Sequence, residues 1–168
     1  MIKQIKINFS ELHDPMQIMH NVKLAGFRSY AYCFTDNQER VLKYGVQYSS
    51  SKEQLGERVY RQAANLNGWG KPLPYSSSGA SMQRLAKDYK EKYNIELDRS
   101  SVSVMLWDQT DPTLSASEMK AKCLRVESEL ISRHINQFGV APIGNNEKAT
   151  KRKVAANNVK ETVSELFD

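Results

Sequence analysis

Alternating apolar and polar residues predict a β-hairpin in the first third of the chain. Two runs rich in aromatic and β-branched residues, SYAYCF (29–34) and VLKYGVQY (41–48), are separated by the turn-forming residues TDNQER. Runs of this composition joined by turn formers are typical of paired strands. A later run, SVSVMLW from Ser101, can extend the hairpin into a three-stranded sheet.

The second strand of this hairpin has two different faces, because side chains alternate along a strand. One face is mostly apolar and consists of Leu42, Tyr44, Val46 and Tyr48. The other face contains the charge of the strand and consists of Lys43, Gly45 and Gln47. If Tyr30, Tyr32 and Phe34 of the first strand share the face of Lys43, phenol and ammonium groups converge beside a glycine.

Apolar residues at helical spacing predict helices on both sides of these strands. The expected helices run from Asp14-Pro15 to Gly26, from near Lys52 onward, over Ser81 to Tyr93, and from the capping box at Ser115 to about Gln137. The opening run MIKQIKINF can form a short strand. Together these elements indicate an α/β fold of the α+β type, with a small three-stranded antiparallel sheet flanked by helices.

Charge and composition favour an anionic partner. The formal net charge is +5 and the isoelectric point is about 9.1, and nucleic acid is the leading candidate for such a basic chain. No apolar stretch approaches the roughly 20 residues that a membrane-spanning helix needs, and the N-terminus lacks a signal-peptide core. The distant cysteines Cys33 and Cys123 are expected to stay reduced, so a cytoplasmic protein is predicted.

Two charged residues lie on or beside the apolar stripes of the predicted helices. Arg58 lies next to Val59, and Glu127 lies four residues from both Cys123 and Ile131. A charge among core positions needs a partner, because burial of an unpaired charge is costly. Arg58 and Glu127 therefore either form a structural ion pair between helices or belong to a site.

The order of these features resembles that of the GIY-YIG nuclease family, whose members have one strand bearing G-I-Y and a second bearing Y-I-G. In this chain YAY (30–32) stands for the first motif and KYG (43–45) for the second. LGER (55–58) matches the family's helix arginine, ESELI (127–131) its metal-binding glutamate, and Asn145 its late asparagine. The order and spacing of these motifs carry the resemblance more than any single one of them.

This resemblance implies a metal-dependent endonuclease that hydrolyses phosphodiester bonds in DNA, with Tyr32, Lys43, Arg58, Glu127 and Asn145 as catalytic candidates. Glu127 would hold Mg²⁺ or Mn²⁺, which prefer hard oxygen ligands. Arg58 would stabilise negative charge on the phosphate. Tyr32 or Lys43 would take a proton from water, and Asn145 would orient a ligand or phosphate.

The chain departs from the family pattern in both strands and in the helix that follows them. YAY lacks the glycine of the first motif, and Lys43 stands where most members have tyrosine, although some restriction enzymes of the family also carry lysine there. Gln62 stands where a tyrosine or histidine is common, one turn after the helix arginine. Tyr60 or Arg61 can fill that role instead.

The resemblance divides the chain into an N-terminal extension (1–28), a GIY-YIG-like domain (29–146) and a basic tail (147–168). Side chains of the tail and of the domain are expected to contact DNA, and phosphate contacts of this kind are sensitive to salt. The expected DNA-contacting residues are Tyr44, Arg61, Lys148, Lys151, Arg152 and Lys153.

Two other classes of protein stay open. A catalytically inactive nucleic-acid-binding protein of this fold would carry the same charge, and so would a basic adaptor or inhibitor that binds another protein. Each candidate residue also has an ordinary structural explanation, such as a packed strand aromatic for Tyr32, a solvated lysine for Lys43 and a turn residue for Asn145. The sequence does not distinguish a monomer from a homodimer.

Overall fold

The structure, a computed structural model, describes residues 3–50, 54–66 and 77–145 of the protein. Within these ranges the strands are β1 (Gln4–Asn8), β2 (Tyr30–Asp36), β3 (Val41–Gln47) and β4 (Val102–Asp108). The helices are α1 (Gln17–Ala25), α2 (Glu57–Ala63), α3 (Ser77–Tyr93) and α4 (Ala116–Phe138). None of these helices is long and apolar enough to cross a membrane.

The strands form one antiparallel sheet in the order β1-β4-β2-β3. The predicted hairpin of β2 and β3 and the addition of β4 are confirmed, but the prediction of three strands is wrong. The fourth strand is β1, which pairs with β4 and places Gln4 opposite Trp107. That pairing joins segments about a hundred residues apart, and local sequence patterns carry no signal for it.

Helix α2 begins later than its apolar stripe predicts. Residues 54–56 form a turn, and the helix starts at Glu57 instead of near Lys52. Gly56 has a positive φ of 78°, a conformation that glycine adopts without the steric cost that other residues pay. A Cβ atom at Gly56 would also lie 3.0 Å from the Cα atom of Met19, so this turn brings α2 close to α1.

Helices cover both faces of the sheet and bury a core on each side. On the face of Tyr30, Tyr32 and Phe34, helices α1, α2 and α3 contribute buried apolar residues, among them Val22, Val59 and Leu85. On the face of Ala31, Tyr44 and Val46, helix α4 contributes its buried stripe, which consists of Met119, Cys123, Val126, Leu130 and Ile131. Both cysteines are free and buried, and burial raises the pKa of each thiol to about 12.

A register irregularity in β3 moves one side chain to the opposite face. Thr35 pairs with Val41, whereas Phe34 pairs with Lys43, so Leu42 is an extra residue in the ladder. Leu42 therefore packs in the core with Phe34, on the same side as Lys43. The expectation that Leu42 shares the face of Tyr44 is wrong, because strict alternation does not hold across a bulge.

The turn of the β2–β3 hairpin is fixed by a buried carboxylate. Asp36 accepts hydrogen bonds from the backbone N–H groups of Gln38 and Arg40, each at 2.9 Å. Its second oxygen accepts from Arg40 Nε at 2.7 Å and from the Tyr89 hydroxyl at 2.9 Å. Because Tyr89 belongs to α3, this carboxylate also ties the hairpin to that helix.

We expect Asp36→Asn to lower the free energy of unfolding at neutral pH and the loss to shrink in acid. Burial raises the pKa of the Asp36 carboxyl, but hydrogen bonds from Arg40, Tyr89 and Gln38 outweigh burial and hold the pKa below its ordinary value. Such a group contributes stability above its unfolded pKa of about 3.9 and loses it as the pH falls through the folded pKa. Urea unfolding of parent and variant at about pH 7 and pH 3 tests this, and an equal difference at both pH values would contradict it.

Candidate functional site

Tyr32 of β2 is held between a glycine and a glutamine on the face covered by α1 to α3. It pairs with Gly45 in the register of β2 and β3, and only 1% of its surface is exposed. The Gln62 side chain, which is 3% exposed, donates a hydrogen bond from Nε2 to the Tyr32 hydroxyl at 3.0 Å. The Gln62 Oε1 atom is buried and accepts no hydrogen bond within the described part of the chain, so this carboxamide can accept a further donor.

Gln62 is thus the residue of α2 whose side chain reaches Tyr32. Arg61 instead forms an ion pair with Glu57 at 2.8 Å along the same helix, and Tyr60 is half-buried. The sequence marked Gln62 as a departure from the family pattern and left Tyr60 and Arg61 as substitutes. Gln62 lies one helical turn after Arg58, and positions four apart lie on one side of a helix.

Gly45 is required by the close approach of the Tyr32 ring. A Cβ atom at this position would lie 2.3 Å from Cζ of Tyr32 and 2.4 Å from its hydroxyl oxygen. The ring lies directly over the strand, and the absence of a side chain at Gly45 is what allows the phenol to reach Gln62.

We expect Gly45→Ala to cost about 1–3 kcal/mol of stability, the usual range for overpacking a well-packed core. The physical reason is the clash with the Tyr32 ring, which has buried neighbours on its other sides and little room to move. Denaturant unfolding of Gly45→Ala measures the cost. In a Tyr32→Val background the same substitution should cost much less, and an equal cost in both backgrounds would show that the ring is not the cause.

Lys43 lies on the same face as Tyr32, as the strand alternation predicts. Its neighbour across the ladder is Phe34, one pair beyond Tyr32 and Gly45. The side chain is half-buried, and its ammonium nitrogen donates a hydrogen bond to the Ser81 hydroxyl of α3 at 2.6 Å. Lys43 is therefore held at the junction of the sheet and α3.

Two candidate residues bind the outer edge of β3, the edge strand of the sheet. The Asn145 carboxamide accepts a hydrogen bond from the Tyr44 backbone N–H at 2.8 Å and donates one to the Tyr44 carbonyl at 3.0 Å. Arg58 donates from Nη1 to the Val46 carbonyl at 2.6 Å. The edge of a sheet presents backbone donors and acceptors that need partners. Asn145 and Arg58 supply them next to the residues of the second motif.

Glu127 lies in the other layer of the fold. Its helix, α4, packs on the face of Tyr44 and Val46, and Glu127 is 7% exposed. The structure therefore places Tyr32 and Lys43 on one face, Glu127 in the helix over the opposite face, and Arg58 and Asn145 at the strand edge next to both layers.

Glu127 would offer a divalent metal ion a single carboxylate ligand. Among residues 3–50, 54–66 and 77–145, no three His, Cys, Asp or Glu side chains form a group that could hold a metal ion. Mg²⁺ usually keeps several waters and binds through one or two carboxylates together with substrate phosphate oxygens. A single buried carboxylate is compatible with that mode of binding and not with an all-protein cage.

The expected DNA-contacting residues have different surroundings. Tyr44 is 9% exposed in the core beneath α4, where burial, followed by the proximity of Cys33, raises the pKa of its phenol. Arg61 is half-buried and paired with Glu57. The four basic residues of the tail, Lys148, Lys151, Arg152 and Lys153, lie outside the described residues.

Tyr48 and Lys120 are additions to the site that the sequence did not suggest. The Tyr48 ring centre lies 5.9 Å from Cζ of Arg58 and 5.6 Å from Nζ of Lys120. Lys120 precedes Glu127 by seven residues, so the two lie on one side of α4 about two turns apart. This spacing is the sequence signal for Lys120, but its contact with the Tyr48 ring depends on how α4 packs on the sheet.

Comparison with protein-family models, with curated proteins and with solved structures finds no match for this chain. The functional interpretation therefore depends on the residues and geometry described above.

Proposed function

We propose that the protein is a metal-dependent endonuclease that hydrolyses phosphodiester bonds in DNA, as its resemblance to GIY-YIG nucleases implies, and that it acts in the cytoplasm, where its free cysteines stay reduced. The observation that carries the proposal is the arrangement around β3. The strand bearing Lys43 and Gly45 has the Tyr32 phenol packed over its glycine, and Arg58 and Asn145 bind its outer edge. Four of the five candidate catalytic residues, Tyr32, Lys43, Arg58 and Asn145, thus lie on or beside one strand.

In this proposal Arg58 neutralises charge on the phosphate that is cleaved. Its hydrogen bond to the Val46 carbonyl fixes the guanidinium beside the strand edge. A guanidinium offers several N–H donors in a planar fork, which suits the geometry of phosphate oxygens. Donors fixed in place before the reaction stabilise developing charge without reorganisation during the step.

Lys43 is the proposed source of the positive charge that activates water. Its ammonium is half-buried and is held by the hydrogen bond to Ser81, so it would act through its charge on a nearby water or, once deprotonated, accept a proton from that water. The Tyr32 hydroxyl accepts a hydrogen bond from Gln62 and would stabilise negative charge that develops on the same face of the sheet. Asn145 keeps β3 in register at its edge, so its role in this proposal is to position the strand.

Glu127 is the proposed ligand of Mg²⁺ or Mn²⁺. The bound cation would supply Lewis-acid polarisation of the phosphate and charge neutralisation. A carboxylate shielded from water by the surrounding helix and sheet keeps a well-defined position, which favours productive orientation of what it binds.

A plasmid-nicking assay with Mg²⁺, run with and without a chelator, tests the proposal. Conversion of supercoiled to nicked or linear DNA that stops on chelation is the expected result. Absence of cleavage with Mg²⁺ and with Mn²⁺ would overturn it.

One observation favours a second candidate, a nucleic-acid-binding protein without catalysis. The Tyr32 hydroxyl is buried and bound to Gln62, so a phenol in this position reaches substrate only if the surrounding side chains move. A salt-dependent gel shift without any cleavage would select this candidate. If the protein neither shifts nor cleaves DNA, the remaining candidate is a basic adaptor or inhibitor that binds another protein.

A further inference from the structure

Two helices on opposite faces of the sheet each deliver a cation to the same tyrosine. Arg58 comes from α2 and Lys120 from α4, and both lie within about 6 Å of the Tyr48 ring centre, the range of a cation–π interaction. Tyr48 directly follows β3 and is half-buried, whereas Lys120 is exposed. We call Tyr48, Arg58 and Lys120 the Tyr48 cluster.

A second tyrosine with two cations provides a comparison within the same chain. The Tyr93 ring centre lies 3.8 Å from Cζ of Arg40 and 5.3 Å from Nζ of Lys92. Arg40 is bound to the Asp36 carboxylate at the turn of the β2–β3 hairpin and to the Tyr89 hydroxyl of α3. At the Tyr93 ring, Arg40 is therefore part of a structural ion pair, and Lys92 is the exposed lysine that corresponds to Lys120.

We propose that the Tyr48 cluster binds two neighbouring phosphodiester groups of the DNA backbone, the cleaved one through Arg58 and the next one through Lys120, so that Lys120 is a substrate-binding residue. The proposal rests on DNA being the partner, as argued above. Contact with the planar Tyr48 ring restricts both long side chains, which lowers the entropy cost of fixing each of them on a phosphate. The forked donors of the guanidinium and the compact charge of the ammonium each suit phosphate oxygens.

The position of Lys120 on α4 indicates which phosphate it binds. Seven residues along an α-helix correspond to a rise of about 10 Å, and Glu127 lies that far along the same side of α4. The phosphate at Lys120 is therefore a neighbour of the group that is cleaved, one nucleotide or more away along the strand. Lys120 would contribute to affinity and register, and not to the chemical step.

The test compares Lys120→Gln with Lys92→Gln, which removes an exposed lysine from a similar tyrosine. Binding of each protein to a fluorescein-labelled DNA duplex is measured by anisotropy in the presence of chelator, between about 50 and 200 mM salt. Loss of one phosphate contact should reduce the slope of log K against log salt by about 0.9 and weaken binding about fivefold to tenfold near 0.1 M salt. Lys92→Gln should keep the parental slope and affinity, and Lys120→Arg should keep most of both.

Several results would overturn the inference. A parental slope for Lys120→Gln would show that this lysine does not contact phosphate, even if the protein cleaves DNA. An equal loss in Lys92→Gln would show that any surface lysine has the same effect and that the Tyr48 cluster is not a site. A parent protein that binds no duplex would refute the inference, and cleavage assayed separately would show whether the nuclease proposal fails with it. Thermal melting of each variant confirms that the compared proteins are folded.

Discussion

Glu127→Gln should lower metal-dependent DNA cleavage by at least about 10²-fold while the protein stays folded. The substitution keeps the shape of the side chain and removes the charge that a divalent cation requires. A metal ion contributes several kcal/mol of transition-state stabilisation, and about 1.4 kcal/mol corresponds to a tenfold change in rate. Single-turnover cleavage at saturating enzyme, with metal concentration varied, measures the loss.

Glu129→Gln is the matched control for this prediction. Glu129 lies two residues further along α4, is also buried, and accepts a hydrogen bond from Arg133 at 3.4 Å, which a glutamine oxygen can also accept. This variant should retain cleavage close to that of the parent. If Glu127 serves only to balance a buried charge, its substitution would instead cost about 3–5 kcal/mol of stability and leave specific activity unchanged. That combination would refute the catalytic assignment.

Lys43→Met should remove most cleavage while the fold and most DNA affinity remain. Methionine has a similar length and fills the same half-buried space against α3, but it carries no charge. General acid–base catalysis contributes about 10² to 10⁴ in rate, so a loss in that range is expected if the ammonium acts on water. Cleavage is measured across about pH 6 to 9, and the loss is expected over the whole of this range.

Two further variants show what the Lys43 side chain does. Lys43→Tyr should recover part of the activity, because the related nucleases more often have tyrosine at this position. Ser81→Ala removes the hydroxyl that accepts the ammonium hydrogen bond and should lower the rate less than Lys43→Met does. If Lys43→Met cleaves like the parent over the whole pH range, Lys43 is a packed strand residue without a part in the reaction.

The parts of the fold that depend on local pattern could be predicted from the sequence. The β2–β3 hairpin, the capping box that opens α4 and the shared face of Tyr32 and Lys43 all follow from residue periodicity and turn chemistry. The opening run was correctly predicted as a strand, but its place in the sheet could not be predicted, because the pairing of β1 with β4 is a long-range contact. The bulge at Leu42 could not be predicted either, since one extra residue leaves the apolar pattern of β3 unchanged.

The candidate site was predictable in composition and less so in arrangement. Motif order selected Arg58 and Asn145, but their hydrogen bonds to Val46 and Tyr44 depend on β3 being the edge strand. Gln62 was noticed only as an unusual residue, and its bond to the Tyr32 hydroxyl requires the packing of α2 on the sheet. Spacing along the chain identifies such residues, whereas tertiary packing decides which atoms meet.

The closed outer edge of β3 also has a consequence for self-association. An exposed strand edge is a template on which a second molecule can add a strand, and proteins commonly block such edges. Asn145 occupies both polar groups of Tyr44, and Arg58 occupies the Val46 carbonyl. Shortening either side chain would open this edge to β-augmentation between molecules. An inactive Arg58 or Asn145 variant therefore reports on chemistry only when light scattering shows that it has not aggregated.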